Sequence, residues 1–454
     1  MGGGIDKVLV AIMVIVKSFI SNRKETKMSS EISILDTVRI NNRHLVLISK
    51  NRISFIHDVS EDEVDDVCAE ERRVIATDAD ASTTPIPLGP SIAFMPTFDC
   101  NLRCIYCYAK GGEDKTKLSL TTAKHAIDWI VDKISTPVAV SLTIYFVGGG
   151  EPFMNFEMMD EICHYARQHF ADIEIVVVSN GIHGRKQRQW LIDNKASTRI
   201  SFDGVMHAKN RPLVTHASSD MIVEQTIKEL VAGGVPLTVQ LTITQEGTAR
   251  MIESIERIAS LGARYIKIEP VHNSVLSRGE QSLVPDLEEF VEMFLATLRW
   301  ITKHDLPVKI DNSFISRPTS GYYCGAGEGS NITITPTGLI TSCLEVARMD
   351  DAYANTMIYG HCTEDGHVVI DRDKRQFLDQ LHWRNYPNCP DCNLKLICGG
   401  GCPMQGGWDN SDLLNPSAYT CHAHQMLLPK IFALVFEDPR IIDVVFDNHT
   451  VERC

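Results

Sequence analysis

Positive charge is scarce in this chain. Lys and Arg number 44 against 58 Asp and Glu over 454 residues, a formal net charge of −14. A surface of that sign repels a phosphate backbone, and no long basic run or aromatic–basic stripe offsets it, so nucleic acid is not an expected partner. Long apolar runs are scarce too. The stretch VLVAIMVIV (Val8 to Val16) ends at Lys17, well short of the roughly 20 apolar residues that span a bilayer. No A-x-A-like site follows it, which disfavours a cleaved signal peptide. Residues 1–27 are therefore expected to be a disordered N-terminal extension, with Met28 competing with Met1 as the true start; a peripheral amphipathic anchor is the other reading. The histidines show no HExxH or other paired metal spacing, and no internal repeat or long low-complexity segment occurs.

What the chain does have is the mix of an ordinary soluble globular protein, 44% hydrophobic and 22% charged, with length for two or three domains. It also has 14 cysteines, and they cluster. FDCNLRCIYCYAKGG (98–112) places Cys100, Cys104 and Cys107 in one loop. An odd number cannot pair off as disulfides, and a structural zinc ordinarily takes four ligands. Three thiolates with a vacant fourth position suit a metal group completed by something else. Thiols used as ligands imply a reducing compartment, so the expected location is the cytoplasm.

Ile40 to Ile56 reads as two short strands about a Ser49–Asn51 turn, and SEDEVDDV as a short helix capped by Ser60. Together they make a small α+β unit over 28–88, followed by the Pro-rich linker STTPIPLGP (Ser82 to Pro90). Apolar, largely β-branched runs then recur at SIAFMP, LTIYFV, IEIVVVS, TRISF, LTVQLTI and YIKIEPV. Between them lie helical faces. One is Ala123, Ile127, Ile130, Val131 and Ile134 behind a Ser119 or Thr121 cap; another is Val223, Ile227, Leu230 and Val231 before Gly233 or Gly234. This alternation predicts an α/β fold over 89–305, a parallel sheet curled into a partial (β/α)6 TIM-type barrel. FDC, GGGEP, SNG and DG fall after successive strands, where such folds carry their chemistry. From about Asp311 periodicity fades while Cys, Gly and Pro rise. A Cys-rich domain over 306–425, held more by ligands than by a core, and a C-terminal segment over 426–454 are expected.

The loop on the first strand, with Tyr106 before its last cysteine and Gly148-Gly149-Gly150-Glu151-Pro152 after the second strand, resembles the radical S-adenosylmethionine (SAM) enzymes over roughly Ser91 to Val271. The resemblance implies that Cys100, Cys104 and Cys107 hold a [4Fe–4S] cluster whose fourth iron takes the amino and carboxylate groups of SAM. It further implies that Gly148, Gly149, Gly150 and Glu151 hold the SAM ammonium, with Glu151 as an acceptor. Ser179 and Asn180 of SNG, and Ser201, would lie near the ribose and methionyl carboxylate. His207 and Arg211 of HAKNRP follow the same pattern. The competing reading is a zinc knuckle completed by a residue such as His125.

Downstream, Cys324, Cys343, Cys389-x2-Cys392-x5-Cys398-x3-Cys402 and Cys421 resemble the SPASM extension of radical SAM peptide-modifying enzymes. The resemblance implies two auxiliary clusters, one on Cys389, Cys392, Cys398 and Cys421 and one on Cys324, Cys343 and Cys402, hence three [4Fe–4S] clusters in all. A zinc ribbon is the competing reading here. Sulfatase-maturing members of the family carry a further cysteine where this chain has Ser330. They also carry a basic aspartate where it has Leu344, with Glu345 next. Sulfatase maturation is thereby disfavoured, and the Cys324 set lacks a fourth protein ligand. Either Cys362 completes it, or an iron stays open to a substrate thiolate. Cys163, on a helical pattern, reads as an inert buried thiol.

The resemblance implies a radical SAM oxidoreductase of the peptide-maturase type: SAM is cleaved to a 5′-deoxyadenosyl radical, which takes hydrogen from a ribosomally made peptide and leads to a cross-link or oxidation. Its partners would be that peptide, with a leader, and a flavodoxin- or ferredoxin-like reductant. The N-terminal unit would be a strand edge that captures the leader or a plain cap on the barrel. Action on a residue of a folded protein or on a small molecule, and a non-enzymatic zinc scaffold, are the alternatives. No catalytic side chain is assigned.

Overall fold

The computed structural model describes residues 35–49, 53–81, 90–134, 137–272, 281–315, 321–329 and 331–445. The expected N-terminal extension, linker residues 82–89 and Ser330 lie outside the described residues. The chain divides into two compact units, Met1–Pro87 and Leu88–Cys454.

In the first unit β1 (Asp36–Arg39), β2 (Leu45–Ile48) and β3 (Ile53–Ile56) form an antiparallel sheet in that order. The middle strand LVLI is buried throughout, as its composition dictates. The expected hairpin is β2–β3, with Ile48 opposite Ile53. The polar DTVR stretch adds a further strand. Helix α1 (Val64–Ala81) closes a small core in which Cys68 packs with Leu45, Leu47 and Val59. Ser60 engages Glu63 in the turn before this helix, its N–H and hydroxyl donating to the carboxylate at 2.9 and 2.5 Å. The Ser54 hydroxyl donates to Glu71 at 2.7 Å and ties sheet to helix.

The second unit rests on an eleven-stranded sheet ordered β10-β9-β8-β7-β6-β5-β4-β11-β12-β13-β14. All six expected strands are present as β4 (Ser91–Phe94), β5 (Ser141–Phe146), β6 (Asp172–Ser179), β7 (Ser197–Ser201), β8 (Leu237–Ile243) and β9 (Tyr265–Pro270). With β10 (Lys309–Asp311) they run parallel in chain order, the arrangement of a partial barrel. Helices α2 (Leu120–Lys133), α3 (Phe156–Ala166), α4 (Arg185–Asp193), α5 (Asp220–Ala232), α6 (Met251–Ser260) and α7 (Leu287–Lys303) lie between them in sequence. Ser119 caps α2 by accepting the Thr122 N–H at 3.0 Å, and Gly233 ends α5. β8 shows how the sheet serves the site. It buries Leu237, Val239, Leu241 and Ile243 on one face and presents Thr238, Gln240 and Thr242, half-buried, on the other.

Regular structure does not stop at Asp311. β11 (Thr333–Ile334) pairs parallel with β4, Thr333 opposite Ala93, and β12 (Leu339–Thr341), β13 (Ile358–Cys362) and β14 (Val368–Ile370) follow as an antiparallel meander. The Cys-rich region therefore continues the same sheet. Its strands are two to five residues long, too short to leave a periodic trace in the sequence. Helix α8 (Ala418–Glu437) carries Cys421 in its first turn and packs against α7. Among the described residues no helix is long and apolar enough to cross a membrane.

Candidate active site

The three-cysteine loop leaves β4 and is shaped by its own backbone. Phe98 donates to the Thr116 carbonyl at 3.0 Å and accepts the Gly112 N–H at 2.8 Å. Arg103 N–H to Pro212 O (2.8 Å) and Ile105 N–H to Asn210 O (3.0 Å) dock its middle on the segment after β7. The Arg103 guanidinium donates to the carbonyls of Cys100, Leu102 and Gly112 at 2.8, 2.7 and 3.1 Å, filling the loop's interior. Each thiol receives an N–H. The Leu102 backbone and the Asn180 amide point at Cys100 (3.5 and 3.7 Å), Arg211 at Cys104 (4.0 Å) and the Gly111 backbone at Cys107 (3.5 Å). Sulfurs so surrounded by donors are arranged for the thiolate form. Burial first, with the neighbouring acids and thiols behind it, pushes the Cys100 thiol up to about 12 and Cys104 to about 11 against the pull of the Leu102 N–H and of Arg211, so a bound cationic centre favours ionisation.

The turn after β5 lies against this loop. Glu151 N–H donates to the Asp99 carbonyl at 2.8 Å. A Cβ on Gly150 would lie 2.0 Å from that same oxygen, so only glycine permits the approach. Glu151 is 2% exposed. Its carboxylate accepts the Asn180 N–H (2.7 Å), the Ser179 hydroxyl (2.9 Å) and the Phe153 N–H (3.2 Å). Burial pushes Glu151 up to about 7 against the pull of these donors. The carboxylate thus joins the ends of β5 and β6, and Asn180 carries the connection on to Asn101 at 2.7 Å and to Cys100. Gly148 precedes the turn, half-buried, and Ser201 stands half-buried at the end of β7.

Around Cys104 a second network closes. Asp203, fully buried just after β7, pairs with the Arg211 guanidinium (Nε–Oδ1 3.1 Å) and accepts the Tyr106 hydroxyl, the Asn210 amide (3.2 Å) and the Thr242 N–H (3.1 Å). Arg211 also donates to Thr242 Oγ1 at 3.1 Å and lies over the Tyr106 ring, 5.2 Å from its centre. The Asp203 N–H donates to His207 Nδ1 at 3.2 Å, which assigns the ring its Nε2–H tautomer. That N–H donates to Ser219 Oγ at 3.0 Å, and Ser219 donates to the Arg211 carbonyl at 2.5 Å. Burial pushes His207 down to about 3, so the ring is neutral.

The C-terminal cysteines fall into two groups. After burial, the charges bearing on Cys389 are those of Cys398, Cys392 and Cys421; those bearing on Cys343 and Cys402 are Glu345 and Cys324. Backbone N–H groups two residues on donate to Cys343 (from Glu345), Cys392 (Leu394, 3.4 Å), Cys398 (Gly400) and Cys402 (Met404). Leu102 makes the same step to Cys100. Cys362 stands apart: burial alone acts on its thiol, raising it to about 11, and its Cβ lies by Gly338. Cys163 is fully buried within α3. Among the described residues no three His, Cys, Asp or Glu converge on a single metal ion; thiolates on a cluster sit at the corners of an extended body instead. A small crevice of about 10 Å³, room for about one water, lies between Phe98, Tyr108 and Ala109 of the first loop, Gly149 after β5, and the segment Leu344 to Asp351. The Arg348 guanidinium covers the Phe98 ring there, 3.7 Å from its centre.

Residues 94–243 match the model of the radical SAM superfamily. This chain is a radical SAM enzyme. It is related at low identity to SPASM-domain maturases. The mycofactocin maturase MftC of Mycobacterium tuberculosis is 23% identical over 323 residues, covering 67% of this chain and 76% of that one. Two solved structures share the fold. The enzyme anSMEcpe with bound AdoMet and Cp18Cys peptide superposes with a TM-score of 0.63 at 15% identity, covering 78% of this chain and 99% of that one. Streptococcus suis SuiB bound to the precursor peptide SuiA superposes with a TM-score of 0.51 at 13% identity, covering 86% and 98%.

SAM and a [4Fe–4S] cluster are the cofactors that membership of the radical SAM superfamily implies. The residues present fit them: three thiols in one loop, each with an N–H donor, beside a turn that only glycine allows. The structure brings Gly149, Gly150, Glu151, Ser179 and Asn180 to the Cys100 side of this loop, and Arg211 with Tyr106 to the Cys104 side. His207 acts on the loop only through Asp203, Ser219 and Arg211. Asp203, the acid of the DG that follows β7, has no role assigned by the motifs; its partners supply one. Its one signal in the sequence is position, an acid directly after a barrel strand.

Proposed function

We propose that this radical SAM enzyme modifies a ribosomally made peptide by oxidation or cross-linking. In this reading Cys100, Cys104 and Cys107 hold the SAM-binding cluster. Cys389, Cys392, Cys398 and Cys421 hold one auxiliary cluster, and Cys324, Cys343 and Cys402 the other. The observation that carries it is that the first cysteine loop and the segment that follows Cys343 adjoin, with the Arg348 guanidinium over the Phe98 ring. A substrate bound across that junction would lie between the place where hydrogen is removed and a second redox centre able to take the remaining electron. Bound SAM and its cluster supply the one-electron cleavage and the carbon-centred radical chemistry.

The protein's own residues position and exclude. With SAM bound, Gly149 and Gly150 would let its methionyl end approach the backbone, and Asn180 and Ser201 would offer it polar groups. Glu151, its carboxylate already engaged by Ser179, Asn180 and Phe153, holds the turn in place. Arg211 and Tyr106 fix Cys104 through Asp203.

The peptide substrate is supported by the relatives, a mycofactocin maturase and a protein bound to its precursor peptide. The N-terminal unit suits a leader, because the outer edges of β1 and β3 can each accept an added strand. A flavodoxin- or ferredoxin-like protein would deliver the electron.

The test is anaerobic reconstitution with iron and sulfide analysis, then SAM and dithionite with detection of 5′-deoxyadenosine. Precursor peptides encoded beside the gene are assayed next for loss of hydrogen by mass. About twelve irons per chain, SAM cleavage and a peptide of reduced mass are expected. Zinc without sulfide, and no SAM cleavage, would refute the reading. Activity on a sulfatase-derived peptide alone would replace its substrate.

A further inference from the structure

The Phe98 ring is held on an edge and on a face. Its edge lies on Gly149, where an added Cβ would stand 2.8 Å from Cδ1 and 3.1 Å from Cε1, so the ring rests on the bare backbone of the turn after β5. The contact continues along the chain, since the Asp99 carbonyl accepts the Glu151 N–H at 2.8 Å. The face of the ring carries the Arg348 guanidinium, 3.7 Å from its centre.

Arg348 is itself fixed in place. Asp351 accepts its backbone N–H and that of Ala347 at 2.8 Å each, and the Asp351 N–H returns to the Arg348 carbonyl at 3.1 Å. Asp114 adds an ion pair at 3.6 Å, and is held by the Thr116 N–H and hydroxyl at 2.8 and 2.7 Å. Phe98, 1% exposed, packs in one cluster with Met95, Val147 and Ala347. The crevice left among them has room for about one water. At such density the ring cannot shift without moving either the Gly149 turn or Arg348.

We infer that Phe98 couples the turn after β5 to the segment that follows Cys343, with Arg348 as the positioning residue that holds the ring against Gly149. The inference rests on the proposed assignment of that turn to SAM. SAM seated at the turn fixes the ring, and the ring fixes Arg348. By reciprocity, the setting of residues 344–351 governs SAM affinity by the same factor. Radical formation is thereby tied to the segment across which the substrate is proposed to lie.

The experiment uses the full chain, reconstituted anaerobically, as parent, Arg348→Ala, Arg348→Lys, Asp114→Asn, Phe98→Leu and Phe98→Leu/Arg348→Ala. SAM binding is measured by equilibrium dialysis, and by the change that SAM makes in the electron paramagnetic resonance of the reduced first cluster. Arg348→Ala is expected to weaken SAM binding about five-fold or more, and to move the spectral titration to higher SAM by the same factor. Arg348→Lys, which keeps a cation over the ring, is expected to recover part of the loss, and Asp114→Asn to bind as the parent does. In the Phe98→Leu background, Arg348→Ala should cost nothing further. Parental affinity and spectrum in Arg348→Ala overturn the inference. So does an equal loss from Arg348→Ala with and without Phe98, since Arg348 would then act by another route. First-cluster iron lost in both Arg348→Ala and Arg348→Lys overturns it too, because the role would be structural. A Gly150→Ala protein that binds SAM as the parent does is a different result: it removes the turn from the SAM site, and the assignment on which the coupling rests falls first.

Discussion

Asp203 and Arg211 form a buried ion pair, 3.1 Å between Oδ1 and Nε, with 0% and 8% of their side chains exposed. The pair joins the end of β7 to the cysteine loop, because Asp203 also accepts the Tyr106 hydroxyl and Arg211 reaches Cys104. Neither charge has water to fall back on. Removing one partner strands the other, at a cost of about 3–5 kcal/mol. Asp203→Asn and Arg211→Met are each expected to lower the stability of the metal-free protein by that order. The double variant should lose less than the sum, because no charge is stranded. Anaerobic urea melts of the four proteins check this; additive losses would mean that the two do not act as a pair.

Gly150 touches the first cysteine loop. A Cβ there meets the Asp99 carbonyl, so Gly150→Ala must push the turn after β5 away from the cysteine loop. The expected result is loss of about four of the irons and of SAM cleavage, with the auxiliary signals retained. Iron analysis and electron paramagnetic resonance of Gly150→Ala against the parent would decide it.

His207 sets a pH dependence. Its ring ionises near 6.5 when unfolded and near 3 when buried, because burial disfavours the imidazolium. The folded protein therefore refuses a proton that the unfolded chain accepts. The stability held by the neutral ring is full above about 6.5 and is lost progressively as pH falls towards 3. The loss is about 1.4 kcal/mol per pH unit, hence about 2 kcal/mol by pH 5. His207→Gln removes this term. The parent's advantage over His207→Gln should shrink by that amount between pH 7 and pH 5. His183 and His424, pushed the same way by burial, remain in both proteins and cancel. Chemical melts at the two pH values measure it, and a constant difference would contradict it.

Cys362 separates the two accounts of the C-terminal cysteines. It lies on β13, where no other cysteine acts on it. Cys362→Ser is expected to keep all the iron, whereas Cys392→Ser, within the Cys389 group, is expected to lose about four irons. Metal analysis of both variants tests the grouping directly.

Much of this fold is legible in the sequence because its signals are local. A buried strand is a run of β-branched residues such as IEIVVVS, and a helix is a repeat such as Ala123, Ile127 and Ile130 behind a Ser119 cap. The cysteine spacing 100–104–107 is likewise confined to one loop, and together with Tyr106 and the GGGEP after the second strand it carries the family resemblance. Position after a strand end brings GGGEP and SNG to the cysteine loop, because a parallel sheet gathers those ends.

What only the tertiary structure decided depends on residues distant in sequence. β11 pairs with β4 through Thr333 and Ala93, and two residues of strand carry no period by which to foresee that the Cys-rich region extends the barrel sheet. Asp203 looks like any acid in a turn until Tyr106, Asn210, Arg211 and Thr242 converge on it. Glu345 looks like a surface glutamate until the fold turns its N–H onto the Cys343 sulfur and leaves it half-buried there. Composition and spacing determine which groups the chain can offer. Which of them lose water together, and so must satisfy one another, is set by long-range packing, and the chemistry of the site is decided there.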